Sequence, residues 1–176
     1  VTVGWPSRAG THPEVSMFKE FLGLPAHVLV VHAVVVFVPL LALVAIAYVA
    51  LPRFRPRIDW ALVLLAVTAP ATAWVAVQSG EELSDLFTAR GIQGPIVDQI
   101  AEHSRYGALT FRYVLVLAVA AIVLLVVTSG RPRAPKSPPW VTRVLSVVVV
   151  AFAVVSLIYV SLTGHTGAEA VWGNTL

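Results

Sequence analysis

Apolar residues run along this chain in four long blocks, separated by stretches where proline, glycine and charge return. A helix needs about 20 residues to cross a hydrocarbon layer of roughly 30 Å. The blocks at about 25–51, 60–77, 110–129 and 140–163 reach or approach that length. The pattern therefore predicts an all-α integral membrane protein, with four transmembrane helices in an up-down bundle. The membrane domain is expected over 25–165, with an N-terminal tail over 1–24 and a short tail over 166–176. The residues before Met17 are polar or small and lack periodicity, so they read as disordered. The first block is too long for the core of a signal peptide, and no cleaved targeting segment is expected.

Within the blocks, small and polar residues at helical spacing predict the helix-facing stripes. In helix 4 the stripe is Ser146, Val149, Ala153, Ser156, Val160 and Thr163. In helix 1 it is His32, Val35, Pro39 and Ala42; in helix 2 it is Thr68, Ala71, Val75, Gln78 and Glu82. Pro39 and Pro70 fall inside spans, where neighbouring helices can satisfy the freed carbonyls. Pro52 and Pro56 enforce a tight turn, and the prolyl run Gly130–Pro139 makes a stiff linker. The connection from Gln78 to Leu109 carries a brief amphipathic turn at Leu83, Leu86 and Phe87 and a Gly/Pro break at Gly91–Pro95. Helix 3 then starts near Ile96, with His103 on its inward stripe. Gly164 is expected to end helix 4 as a C-cap. No internal repeat is evident from the sequence.

Composition sharpens this picture. Hydrophobic residues make up 58% of the chain and charged residues 12%, which is a bilayer composition. Net charge is +3, but the basic residues lie in short loops rather than along one polar face, so no nucleic-acid partner is expected. Arg53, Arg55, Arg57, Arg131, Arg133 and Lys136 crowd the two short loops on one side. Arg8, Lys19, Arg90 and Arg105 are spread over much longer segments on the other. That bias places the short loops in the cytoplasm and both termini outside. Of the acidic residues only Asp59 lies on the cytoplasmic side. Trp60, Trp74 and Trp140 read as interfacial anchors. With no cysteine and one methionine, the composition excludes disulfides, iron–sulfur clusters, thiolate-ligated or covalently attached haem and thiolate copper sites.

Apart from His12 in the tail, the histidines gather at the outer end: His27 and His32 on helix 1, His103 before helix 3 enters lipid, and His165 after helix 4. Helix 2 brings Glu81 and Glu82 to the same level. Imidazoles and carboxylates converging from four helix ends are a ligand set for zinc, iron or copper(II). His32 stands inside an apolar run, where an ionisable residue marks function or a buried partner; the competing reading is a neutral imidazole donating to a carbonyl, to Gln78 or to Glu82. His27 lies about 140° around a regular helix from His32, so the two can share a metal only if the chain starts non-helically near Pro25–Ala26; its plain reading is an interfacial polar cap. Haem b would need two histidines at matching depth. At 1.5 Å per residue His103 stands about 10 Å above the boundary, which disfavours His32 with His103 and leaves His32 with His165 as the axial pair; a metal held by mixed His and Glu ligands fits slightly better.

Four segments carry a resemblance: GLPAHVLVVHAVVVFVPL entering helix 1, QSGEEL leaving helix 2, EHSRYG approaching helix 3, and GHTGAEAVWG after helix 4. Together they resemble a widespread group of bacterial four-helix membrane proteins, the family catalogued as domain of unknown function 2231, over about Met17 to Gly173. The resemblance implies that His27, His32, Gly80, Glu81, His103, Gly107, His165, Gly167 and Glu169 are the family's recurring positions. It implies architecture and location, a multi-pass protein of the bacterial inner membrane, but no reaction. The family more usually has prolines where Val28 and Val34 stand here.

Two functional readings follow. One is a redox- or respiration-linked protein that binds a metal ion through His27, His32, Glu81, Glu82, His103, His165 and Glu169, or haem b through His32 and His165. The other is a non-catalytic accessory or assembly subunit, a homo-oligomer or part of a larger membrane complex. Four spans with neither an inverted repeat nor a midplane polar pair do not describe a carrier. No nucleophile triad, phosphate loop or paired glycosidase carboxylates appear on a suitable scaffold, so a hydrolase is not expected.

Overall fold

The computed structural model describes residues 26–91, 93–129 and 138–172. The N-terminal tail and the loop cations Arg131, Arg133 and Lys136 lie outside the described residues. Four helices make the fold: α1 (Ala26–Ala50), α2 (Arg55–Ala89), α3 (Pro95–Thr128) and α4 (Pro139–Trp172), with a single 3-10 turn at Pro52–Phe54 between the first two. Each helix packs against the next, and α4 closes the ring against α1; α1 and α3 meet only across the diagonal. This is an all-α four-helix membrane bundle.

The helices form where they do because each apolar run is bounded by residues that cannot continue it. Leu51 and Pro52 stop α1. Gly91 follows α2 with φ of 68°, and Gly94 precedes α3 with φ of 107°, left-handed conformations that residues with a Cβ adopt at a cost. Pro95 then supplies the first helical position, where its missing N–H is not needed. The expected long outer connection is thus almost entirely helical: α2 continues through Leu83, Leu86 and Phe87 to Ala89, and α3 begins one residue before Ile96. At 35 and 34 residues, α2 and α3 extend to roughly 50 Å and reach beyond the hydrocarbon. Gly164 does not cap α4, which runs on to Trp172. A glycine in regular helical conformation does not end a helix when the following turn still packs, and Thr166 is buried.

The core is built from small residues and branched aliphatics. In α4 the buried set Val149, Ala153, Ser156 and Val160 matches the expected stripe. In α2 the inward face is Leu62, Ala66, Ala69, Ala73, Ala76 and Ser79. Gln78 and Ala71 face outward, so the expected stripe is rotated away from the observed one. In α1 the inward face is Val34, Val38, Leu41, Ala42, Ala45 and Tyr48, while His32 and Val35 are exposed. Both corrections have one cause. A polar residue served as the pointer to the interior, but the close-packed seam is made by alanine and valine, which let the backbones approach. Large apolar side chains face outward all round the bundle, including Val36, Leu43, Leu64, Val67, Val119, Val147 and Ile158. Such a surface requires lipid.

Contrary to the sequence reading, the fold contains an internal repeat. Counted from His27, the buried positions Val34, Val38, Leu41, Ala42, Ala45 and Tyr48 of α1 fall at the same intervals as Thr110, Val114, Leu117, Ala118, Ala121 and Leu124 of α3 counted from His103. Counted back from Gly80, Ser79, Ala73, Ala69, Ala66 and Leu62 of α2 match Thr166, Val160, Ser156, Ala153 and Val149 of α4 counted back from Gly167, in that order with Ser79 opposite Thr166. Two antiparallel hairpins, α1–α2 and α3–α4, are therefore equivalent by a pseudo-two-fold axis along the bundle. The repeat is one of burial and chemistry more than of identity, which is why apolar runs hide it.

Side-chain contacts pin both ends. At the end opposite the histidines the Tyr48 hydroxyl meets Thr128 Oγ1 at 3.2 Å, and Arg55 Nε donates to the Tyr48 carbonyl at 2.9 Å. Along the α3–α4 seam, Tyr113 packs on Tyr159 with ring centres 4.8 Å apart, and Thr110 and Thr163 hydroxyls are 2.9 Å apart.

Candidate functional site: a pair of imidazoles on the axis

His27 opens α1 and leans across to α2, where its Nδ1–H donates to the Ala76 carbonyl at 3.0 Å, with Ser79 Oγ at 3.1 Å sharing the contact. His103 on α3 does the same to α4. Its Nδ1–H donates to the Thr163 carbonyl at 3.1 Å, with Thr166 Oγ1 at 3.4 Å. A carbonyl oxygen can only accept, so Nδ1 carries the proton in both rings and Nε2 of each neutral imidazole keeps its lone pair. Each hairpin thus presents one imidazole of the same tautomer, held by the same acceptor pattern three residues apart on the facing helix.

Glycine makes the approach possible. A Cβ on Gly80 would lie 3.1 Å from His27 Cε1, and one on Gly167 would lie 2.9 Å from His103 Cε1. Both rings therefore rest on bare backbone. Their centres are 6.1 Å apart and their planes stand at 88°. Around them opens a cleft of ≈ 90 Å³, lined from all four helices. Its walls repeat the hairpin equivalence, with Val31 opposite Gly107, Val34 opposite Thr110, Ala73 opposite Val160 and Ala76 opposite Thr163. Apart from the two imidazoles, Glu81, Ser104, Thr110 and Thr163, the lining is aliphatic or glycine.

The other candidates fall elsewhere. His32 is exposed and its Nδ1–H donates to Val28 O, one turn back on its own helix, at 2.6 Å. α1 is helical from Ala26, so His27 and His32 point different ways. His165 is 70% exposed and lies 3.2 Å from Glu169, one turn on in the same helix. His32 and His165 do not line the cleft. Glu81 lines it from an exposed position, whereas Glu82 is half-buried and its Oε2 has no hydrogen-bond partner. Among the described residues no group of three or more His, Asp or Glu is placed to hold a metal ion by itself.

Ser79, Gly80, Thr166 and Gly167 complete the site, and two of these, the hydroxyl residues, were not singled out from the sequence. The signal was present as the matched pairs Ser79–Gly80 and Thr166–Gly167, each followed within two residues by a glutamate, Glu82 and Glu169.

Bundle and site together define a class: a multi-pass membrane protein of two equivalent helical hairpins, with one half-buried imidazole from each at one end. The chain belongs to the family described as predicted membrane protein (DUF2231), whose model matches residues 23–176. No curated protein and no solved structure matches it.

Proposed function

We propose that this protein binds a transition-metal group, an ion or haem b, at the outer end of its bundle, and serves a redox- or respiration-linked role in the bacterial cell membrane. His27 and His103 are the ligands. The observation that carries the reading is that both Nδ1–H groups are committed to backbone carbonyls, leaving two Nε2 lone pairs in one cleft. This is the outer-shell arrangement that orients metal-ligating histidines and raises their basicity. Glu81 is the carboxylate that lines the same cleft and is available to an ion; Glu82, His32, His165 and Glu169 lie off its lining. Arg53, Arg55 and Arg57, at and just after the turn between α1 and α2, support a cytoplasmic location for that end and an extracytoplasmic one for the imidazoles.

The second reading, an accessory subunit of a homo-oligomer or larger complex, is favoured by the same bonds taken structurally, since each histidine ties one helix of a hairpin to the other. Absorption spectroscopy and elemental analysis of detergent-purified protein separate the two. Near-stoichiometric metal or a Soret band is expected in the unmodified chain, in His32→Ala and in His165→Ala, with loss in His27→Ala and His103→Ala. Protein with neither metal nor haem, whose His27→Ala variant only loses stability, overturns the first reading in favour of the second.

A further inference from the structure

The ligand geometry narrows the class of group, on the footing that the metal-group reading is right. We infer that the site takes a tetrapyrrole iron, with His27 and His103 as its two axial ligands across the pseudo-two-fold axis.

The donor set points this way first. The cleft supplies two imidazole nitrogens, and among the described residues no set of three His, Asp or Glu completes a protein-only site. A bare zinc or iron ion generally takes three or four protein ligands, so two leave it poorly held. Haem iron brings four nitrogens of its own and lacks two axial ones.

Distance agrees with this. A metal–imidazole bond of about 2.0 Å plus about 1.1 Å from nitrogen to ring centre places two trans ligands about 6.3 Å apart, centre to centre. Two imidazoles on one tetrahedral ion would stand about 5 Å apart by the same arithmetic. The observed separation is 6.1 Å. The rings also come from diagonal helices, α1 and α3, which scarcely touch, so a planar group between them separates no close-packed pair.

The cleft walls match such a group in polarity, and the cleft's ≈ 90 Å³ must widen between α1 and α3 to admit it. Its walls are chiefly aliphatic. A Cβ added at Gly107 or Gly164, both on the lining, would meet nothing within 4 Å, so open space lies beside both glycines. The equivalence of the hairpins explains why one ligand is met twice in the same way, by an imidazole backed by a carbonyl and a hydroxyl.

The test is titration of the full chain in detergent with haemin and, separately, with Zn²⁺ and Co²⁺. Haemin should saturate at one per chain and give a six-coordinate, low-spin absorption spectrum. Its frozen-solution electron paramagnetic resonance should show the strongly anisotropic low-spin signal of near-perpendicular imidazole planes. His27→Ala and His103→Ala should each abolish the six-coordinate low-spin form, while His32→Ala and His165→Ala keep it. Gly107→Leu, which places a side chain in the cleft while leaving both histidines in the sequence, should weaken haemin at least about tenfold with circular dichroism unchanged; it keeps the inference testable should the histidine variants fail to fold. Stoichiometric Zn²⁺ or Co²⁺ without low-spin haemin overturns this inference and leaves the metal-group reading standing. Binding of neither probe overturns both. Low-spin haemin that survives both single histidine variants overturns the assignment of the axial pair.

Discussion

Gly167 and His103 are the tightest fit in the site, because a methyl group on that glycine would stand 2.9 Å from the ring carbon, closer than van der Waals contact allows. Gly167→Ala must push the imidazole off the Thr163 carbonyl or the helix off the imidazole. Chemical unfolding in mixed micelles should show a loss of about 1–3 kcal/mol, the range for overpacking, together with loss of ligand. Gly80→Ala meets His27 at 3.1 Å, where a few tenths of an ångström suffice, and should be the milder of the two. The hydroxyls behind the rings are a separate case. Ser79 and Thr166 donate to carbonyls of their own helices at 3.1 Å and 3.0 Å, so Ser79→Ala or Thr166→Val removes that intrahelical bond and a shared contact with the ring, while the carbonyls of Ala76 and Thr163 still accept from the imidazoles. Each should lower stability by about 1 kcal/mol while the imidazole tautomer, held by the backbone, persists. That residue-level ranking is checked by comparing unfolding midpoints with the pH dependence of ligand uptake in the same variants.

At the scale of the elements, the helices divide by how openly they announce their inner faces. In α4 the serines and alanines alternate with bulkier valines, and the stripe from Ser146 to Thr163 was legible in the sequence and holds in the fold. In α1 every residue from Val28 to Ala50 except His32, Pro39 and Tyr48 is aliphatic, aromatic or alanine, so polarity carries no orientation signal. The one strongly polar residue, His32, satisfies itself on its own helix and faces out. The informative feature was size: alanines at helical intervals in α2, and Ala42 and Ala45 in α1, mark the close approach. The site was legible in part for the same reason. His103 was placed inward by its spacing from Ile96 and Ile100, whereas His27 was masked by its position at the start of an apolar run, where an interfacial cap is the ordinary expectation. Its role became visible only with Ala76 and Gly80 beside it. Tyr48 supplies the matching prediction for the end opposite the histidines. It is buried to 1% exposure, so Tyr48→Ala should lower stability by about 3–5 kcal/mol, the range for other large buried aromatics. Tyr48→Phe should lose only about 1 kcal/mol, because Thr128 Oγ1 keeps its 2.7 Å bond to the Leu124 carbonyl.

For the whole molecule, the testable property is orientation. The chain has no cysteine, so single introduced cysteines report without background. Arg57→Cys should react with an impermeant maleimide only after the cytoplasmic face is opened, and Thr88→Cys should react in intact cells whose outer membrane has been permeabilised. The reverse labelling would invert the topology inferred from the arginines. A second whole-molecule property lies in the short turn after α2, where Gly91 and Gly94 adopt left-handed conformations and a Cβ at either would touch nothing. Since each hairpin already pairs its own helices, that turn is a covalent tether between two finished halves rather than a part of the packing. Residues up to 91 and residues from 93 onward, expressed as separate polypeptides, should find each other in the membrane and rebuild the bundle by complementation. Neither half alone would hold more than one of the two imidazoles, so the assembled site would serve as its own assay for their reunion.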